Sequence, residues 1–93
     1  MLEIVANREK IKLKFEDIIY IERVNRQINI VCRENEYLTY ETLDKIKQKL
    51  PEYFIRCHTG FIINLNWIEY FSQNQIVMIN NKKISVGRAY KLF

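Results

Sequence analysis

Alternation between apolar and polar positions runs through most of the chain. Residues 11–15, IKLKF, alternate strictly, and residues 27–32, QINIVC, alternate again with Ile28, Ile30 and Cys32 on one face. Successive side chains of a strand point to opposite faces, so a period of two predicts half-buried strands. Between these segments DIIYIE (17–22) is an isoleucine-rich run of strand length. EYLTY (36–40), FIIN (61–64), WIEYF (67–71), QIVMI (75–79) and KISV (83–86) continue the series. All are rich in the β-branched and aromatic residues that suit a pleated surface. The connections VNR, RENE, SQN and NNK are short and polar. Short strands with tight polar turns predict a mostly β architecture of antiparallel sheets.

One segment departs from the period of two. In TLDKIKQKL (42–50), Leu43, Ile46 and Leu50 fall at helical spacing, Thr42 suits an N-cap, and Pro51 blocks continuation. Lys45, Lys47 and Lys49 favour the negative end of the helix dipole. The segment predicts one short amphipathic helix at about 42–50, with its lysines on a solvated face. No repeat, low-complexity segment or Pro/Gly/Ser linker divides the 93 residues, so a single domain over 1–93 is expected.

Composition narrows the classes. Apolar residues make up 48% of the chain, yet no apolar run approaches the roughly 20 residues that span a bilayer. With no secretory signal at its start, the chain reads as soluble and cytoplasmic, without membrane contact. Two cysteines, Cys32 and Cys57, make no disulfide framework and are expected as thiols. The net charge of +4 is unevenly spread: residues 1–52 hold ten Lys/Arg and ten Asp/Glu, whereas residues 53–93 hold Arg56, Lys82, Lys83, Arg88 and Lys91 against Glu69 alone. A basic half on an otherwise neutral domain is a field that attracts a polyanion.

Candidate chemistry concentrates in FIRCHTGFIIN (54–64). Cys57 beside His58 invites a catalytic reading, but neighbours on a strand face opposite ways and no third group orients the pair. Cys57 is expected as a small buried hydrophobe. The chain's three Cys and His residues are too few for a closed four-ligand zinc site, and its two glycines, Gly60 and Gly87, form no phosphate cradle. Neither catalysis, metal nor cofactor is expected.

A turn or bulge remains, in which Gly60 permits a positive φ and Thr59 faces outward with His58 or Arg56. Gly87 repeats this logic before Arg88, with Lys91 nearby, and Arg23, Asn25, Arg26 and Gln27 form a third polar tip. Arg, Asn, Gln and Thr are side chains able to read base edges or hold phosphates. The aromatics Phe15, Tyr20, Tyr37, Tyr40, Phe54, Phe61, Trp67, Tyr70, Phe71 and Tyr90 mostly lie within apolar runs, which favours core packing over a base-stacking platform.

The order DIIYIE, a polar turn, TLDKIKQKLP, YFIRCHTGFIINLNWIEYF and KKISVGRAYK resembles the LytTR domain, the DNA-binding module of a class of bacterial response regulators. The resemblance covers about residues 10–91. Its most specific part is the series F-x-R-x-H-x-x-F-x-x-N, present as Phe54, Arg56, His58, Phe61 and Asn64 and followed by the late Arg88. It implies elongated antiparallel sheets in a β-β-β arrangement with one short helix. It also implies sequence-specific binding of duplex DNA through loops inserted into successive major grooves. Carried over by position, Asn25, Arg26, Thr59 and Arg88 would touch bases, with Arg26 and Arg88 suited to guanine O6 and N7. Arg23, Arg56, Lys82, Lys83 and Lys91 would hold phosphates, while His58 would either face DNA or brace its loop, and Asn64 would satisfy local backbone groups. The family commonly has serine where Gly60 stands and before the late arginine, so two hydroxyls are missing here. The resemblance further implies paired DNA repeats occupied by two copies, and a receiver domain or histidine-kinase pathway in a full-length regulator. Two other classes stay open on the residues alone: a single-strand or RNA binder using exposed aromatics, and a β-edge module for a protein partner.

Overall fold

The strand segments form three antiparallel sheets, the largest of which lies between the other two. In the computed structural model, which describes residues 1–72 and 74–90, β1 (Leu2–Ala6) and β2 (Glu9–Leu13) form a separate antiparallel hairpin. The central sheet contains β3 (Ile18–Val24), β4 (Gln27–Cys32), β5 (Glu36–Thr39), β6 (Phe54–His58) and β7 (Phe61–Asn64), in the order β5-β4-β3-β7-β6. A third sheet is formed by β8 (Ile68–Ser72), β9 (Gln75–Met78) and β10 (Lys83–Ser85). Every pairing is antiparallel, and the molecule is elongated at 40 × 24 × 22 Å. The expected mostly β class with one short helix is what the chain adopts.

Two cores lie on the two faces of the central sheet. On one, Ile18, Ile21, Ile28, Ile30 and Ile62 meet Leu2, Ile4 and Leu13 of the hairpin and Leu43 and Ile46 of α1 (Leu43–Lys47). On the other, Ile19, Tyr20, Val31, Cys57 and Ile63 meet Ile76, Met78 and Ile84 of the third sheet. A fully buried side chain of this size contributes about 1.5–3 kcal/mol, so neither cover is dispensable. A bulge in β3, where the register slips between Ile18 and Tyr20, breaks the alternation and sends Ile19 and Tyr20 together into the second core. That is why the apolar run of β3 is continuous in sequence.

The helix is shorter than the pattern over 42–50 suggested. Thr42 is the N-cap, its hydroxyl accepting the Lys45 N–H at 3.1 Å. Past Lys47 the ladder tightens: the Lys49 N–H donates to the Ile46 carbonyl at 3.0 Å and the Leu50 N–H to that of Lys47 at 3.2 Å. These three-residue steps end the α-helix before Pro51. Two strands, β1 and β6, were not expected as strands. Phe15–Asp17 and Leu65–Trp67 form single 3-10 turns, so the strands expected to include Phe15, Asp17 and Trp67 begin or end short of them.

The expected positive φ at glycine is not found. Neither glycine adopts it, and among the described residues it falls on Asn7, Arg8, Asn25 and Asn81. At Gly87 the constraint is space: a Cβ there would lie 2.9 Å from Tyr90 Cδ2.

Candidate nucleic-acid interface

Three tips named from the sequence meet at one end of the central sheet. β3 and β4 are joined through Asn25 and Arg26, with Val24 and Gln27 paired beneath them. Asn25 has φ 57°, a conformation asparagine adopts more readily than most residues, and both tip residues are exposed. β6 and β7 are joined through Thr59 and Gly60. Because β3 and β7 are antiparallel neighbours with Glu22 opposite Phe61, the two tips lie side by side. The Arg23 N–H donates to the Gly60 carbonyl at 2.9 Å and ties them.

The third tip, Val86–Tyr90, docks on the second. The Gly87 N–H donates to the Cys57 carbonyl at 2.8 Å, the Val86 N–H to the Asn74 carbonyl at 2.9 Å, and the Tyr90 N–H closes back on the Gly87 carbonyl at 3.0 Å. Arg88 follows Gly87 and is exposed. Backbone hydrogen bonds thus bring the tips that carry Arg23, Asn25, Arg26, Thr59 and Arg88 together at one end of the central sheet. Lys83 is exposed at the start of β10, and Lys91 lies outside the described residues.

The second tip is stiffened from within. In β6 the register slips between Arg56 and His58, and the bulge puts Cys57 into the second core, where it is fully buried. The His58 ring meets Phe61, which packs on that same core, at 5.9 Å. Cys57 and His58 therefore share a side, against the strict alternation expected of them. They form no nucleophile and base, because the thiol has no access to solvent and His58 Nδ1 accepts the Gly60 N–H at 3.1 Å. Burial pushes the Cys57 thiol up to about 11. Cys32 is raised to about 11 as well, by burial and then by Asp17.

The cations divide into two groups. Arg56 Nη1 donates to Asp44 Oδ1 at 2.7 Å, its Nη2 to the Thr59 carbonyl at 2.8 Å and its Nε to the His58 carbonyl at 3.2 Å. Lys82 Nζ lies 3.8 Å from Glu22 Oε1 and 5.7 Å from the Phe61 ring centre. By contrast, the side chains of Arg23, Arg26 and Arg88 form no hydrogen bond or ion pair with another described residue. A groove lined by Arg23, Asn25, Arg26, Thr42, Asp44 and Arg56 separates the first tip from α1.

Asn64 reaches beyond its local backbone. Its Oδ1 accepts the Asn66 N–H at 2.9 Å, and its Nδ2 donates to the Ile18 carbonyl, also at 2.9 Å. Asp44 was absent from the sequence-based candidates. An acid in the first turn of a helix reads as dipole complementarity, and nothing in the sequence pairs it with an arginine twelve positions away. Most aromatics pack in or against the cores. Of the exposed aromatics, Tyr40 lies beyond β5, apart from Tyr70 and Phe71, which are consecutive on β8. Among the described residues, no helix is long and apolar enough to cross a membrane and no three metal-ligating side chains converge.

Known proteins resemble this chain in sequence and in fold. The family described as the LytTr DNA-binding domain matches residues 8–92. The transcriptional regulatory protein NatR of Bacillus subtilis is 48% identical over 61 residues, which cover 64% of this chain and 26% of that protein. The sensory transduction protein LytT of Bacillus cereus is 31% identical over 84 residues, covering 84% of this chain and 34% of that protein. The chain thus spans between a quarter and about a third of the length of these curated relatives. A solved LytTr DNA-binding domain from Bacillus cereus superposes with a TM-score of 0.81 over 96% of this chain and 87% of its own, at 23% identity, a likeness of fold.

Proposed function

This chain belongs to the LytTr DNA-binding domain family, and we propose that it reads duplex DNA sequence-specifically through its three tips, in the service of transcription regulation. One observation carries the reading: the three tips are bound to one another by backbone hydrogen bonds while Arg23, Arg26 and Arg88 remain exposed and unpaired within the described chain. A guanidinium not committed to a carboxylate is available to guanine O6 and N7, and a tip is narrow enough to enter a major groove. Arg26 and Arg88 are the base-reading arginines, with Asn25 and Thr59 beside them. Arg23 and Lys83 hold phosphates, as does Lys91, which lies outside the described residues. Lys82, paired with Glu22, acts by position. His58 braces the loop, since its Nδ1 closes the turn on Gly60. Two copies occupy paired repeats, and a receiver domain elsewhere in a longer cytoplasmic regulator controls them.

Selection of random duplexes on the purified domain, with wild type and Arg88→Ala in parallel, tests this. The expected result is a short enriched motif that Arg88→Ala relaxes at one position, with a loss of about 5- to 150-fold on the selected site, the range of one bidentate pair. Retention without a motif, falling steeply with salt, would reduce the surface to a nonspecific polyanion site and refute base reading.

A further inference from the structure

Arg56 carries a positive charge beside the proposed DNA face, and its geometry argues against a phosphate contact. Three guanidinium nitrogens are engaged at 2.7, 2.8 and 3.2 Å, with Asp44 Oδ1 and the carbonyls of Thr59 and His58. One N–H on each Nη is left over, so a phosphate gripped by the Nε–Nη2 edge would take the donors of both turn carbonyls. The Arg56 side chain is only 23% exposed, whereas that of Asp44 is 85% exposed. Asp44 itself is fixed from behind, because α1 is anchored by buried Leu43 and Ile46 and capped by Thr42. A planar fork spans several acceptors at once, which a lysine ammonium does not.

We propose that Asp44 is a positioning residue for DNA recognition, acting through Arg56 to hold the Thr59 turn in its reading geometry. The proposal rests on the DNA-binding role above and extends it to an acidic residue. It makes an unusual demand: a carboxylate next to a polyanion site strengthens specific binding. Simple electrostatics predicts the reverse, since removing a negative charge near DNA raises affinity for any duplex.

The test measures affinity for the selected duplex and for an unrelated duplex, over a series of salt concentrations, for wild type, Asp44→Asn, Arg56→Lys, Arg56→Gln and the double variant Asp44→Asn/Arg56→Lys. Thermal melts confirm that each variant folds. Arg56→Lys is expected to lose about 10- to 30-fold on the selected duplex, as charge-assisted bonds to the turn are lost. Affinity for the unrelated duplex and the salt slope stay as in wild type. Asp44→Asn is expected to lose about 3- to 10-fold on the selected duplex only, and to add little once Arg56 is lysine, because the two act in series. Rescue by lysine, or a salt slope reduced by about one in Arg56→Gln, would identify a phosphate contact and overturn the proposal. So would tighter binding of the selected duplex by Asp44→Asn. If wild type itself prefers no duplex, the DNA-reading function fails first, an outcome separate from normal selectivity retained by the variants.

Discussion

Replacing Asn64 gives the sharpest test of how this fold holds its reading end. Asn64 has no exposed surface, and it joins two places far apart in sequence, donating to the Ile18 carbonyl and accepting from the Asn66 N–H. Asn64→Ala leaves both partners without their bond in a buried setting, at about 1–3 kcal/mol for each group stranded from water. Partial relaxation at Asn66, which is exposed, brings the expected total to about 2–4 kcal/mol. In a domain of this size 1 kcal/mol shifts Tm by about 4–8 °C, so a fall of about 8–32 °C follows. Asn64→Asp discriminates further. It keeps the acceptor for Asn66 but turns a second oxygen toward the Ile18 carbonyl. Burial and that carbonyl raise the introduced carboxyl's pKa above its unfolded value of about 3.9. The folded state then binds more protons than the unfolded one, so the variant comes nearest to wild type below about pH 4 and loses stability as pH rises. Urea unfolding followed by Trp67 fluorescence reads all three proteins. Trp67 suits this because its indole N–H donates to the Glu16 carbonyl at 2.7 Å, a contact that unfolding breaks. A cost below about 1 kcal/mol for Asn64→Ala, or Asn64→Asp matching wild type at pH 7, would refute the account.

Further outcomes follow from other contacts. Both thiols are raised to about 11 from 9.0, so unfolded thiols ionise first and stability is retained below pH 9 and lost as pH rises toward 11; urea midpoints across this range should fall, and less steeply in Cys57→Ala. Gly87→Ala places a Cβ 2.9 Å from Tyr90 Cδ2, which should displace the segment bearing Arg88 and weaken binding of the selected duplex about 3- to 10-fold by fluorescence anisotropy; an equal loss in a Tyr90→Ala background would show that the clash is not the cause. Exposed tips should be nearly silent in stability: Arg26→Ala and Thr59→Ala stay within about 0.5 kcal/mol by urea unfolding while altering DNA selection. Asn25→Val is the exception, costing about 1–2 kcal/mol because a β-branched residue resists a φ of 57°.

The sequence was most legible where period and burial coincide. QINIVC at 27–32 and FIIN at 61–64 are β4 and β7 without adjustment, because each is an inner strand whose faces are both specified by packing. The helix was visible in its cap and in Leu43 and Ile46, but its C-terminal turn was not, since a tightening ladder has no signature in residue type. β6 was obscured by its own bulge: Cys57 and His58 break alternation, and the same irregularity that hid the strand positions the turn beyond it. The expected glycine φ was wrong for a related reason. Gly60 suggested freedom of backbone, yet His58 Nδ1 closes that turn without it.

The candidate site was legible in its members and illegible in its partnerships. All three tips were read from polar residues interrupting apolar runs, but both Arg56, as a phosphate contact, and Arg88, as a base contact, were expected to touch DNA. What separates them is a carboxylate on α1, brought near by the packing of Leu43 and Ile46 and not by proximity in the chain. The motif that most strongly marks the family resemblance behaves accordingly. Phe54 is buried in the first core, Arg56 grips the turn, His58 closes it, Phe61 supports the histidine ring, and Asn64 ties β7 to the start of β3. Each residue of the series makes a contact inside the protein, whereas the side chains proposed to read bases stand at tips where packing imposes little. Such a division lets a tip change its chemistry without disturbing the frame that aims it. It also explains why residue pattern alone identifies the frame more securely than the residues that would touch DNA.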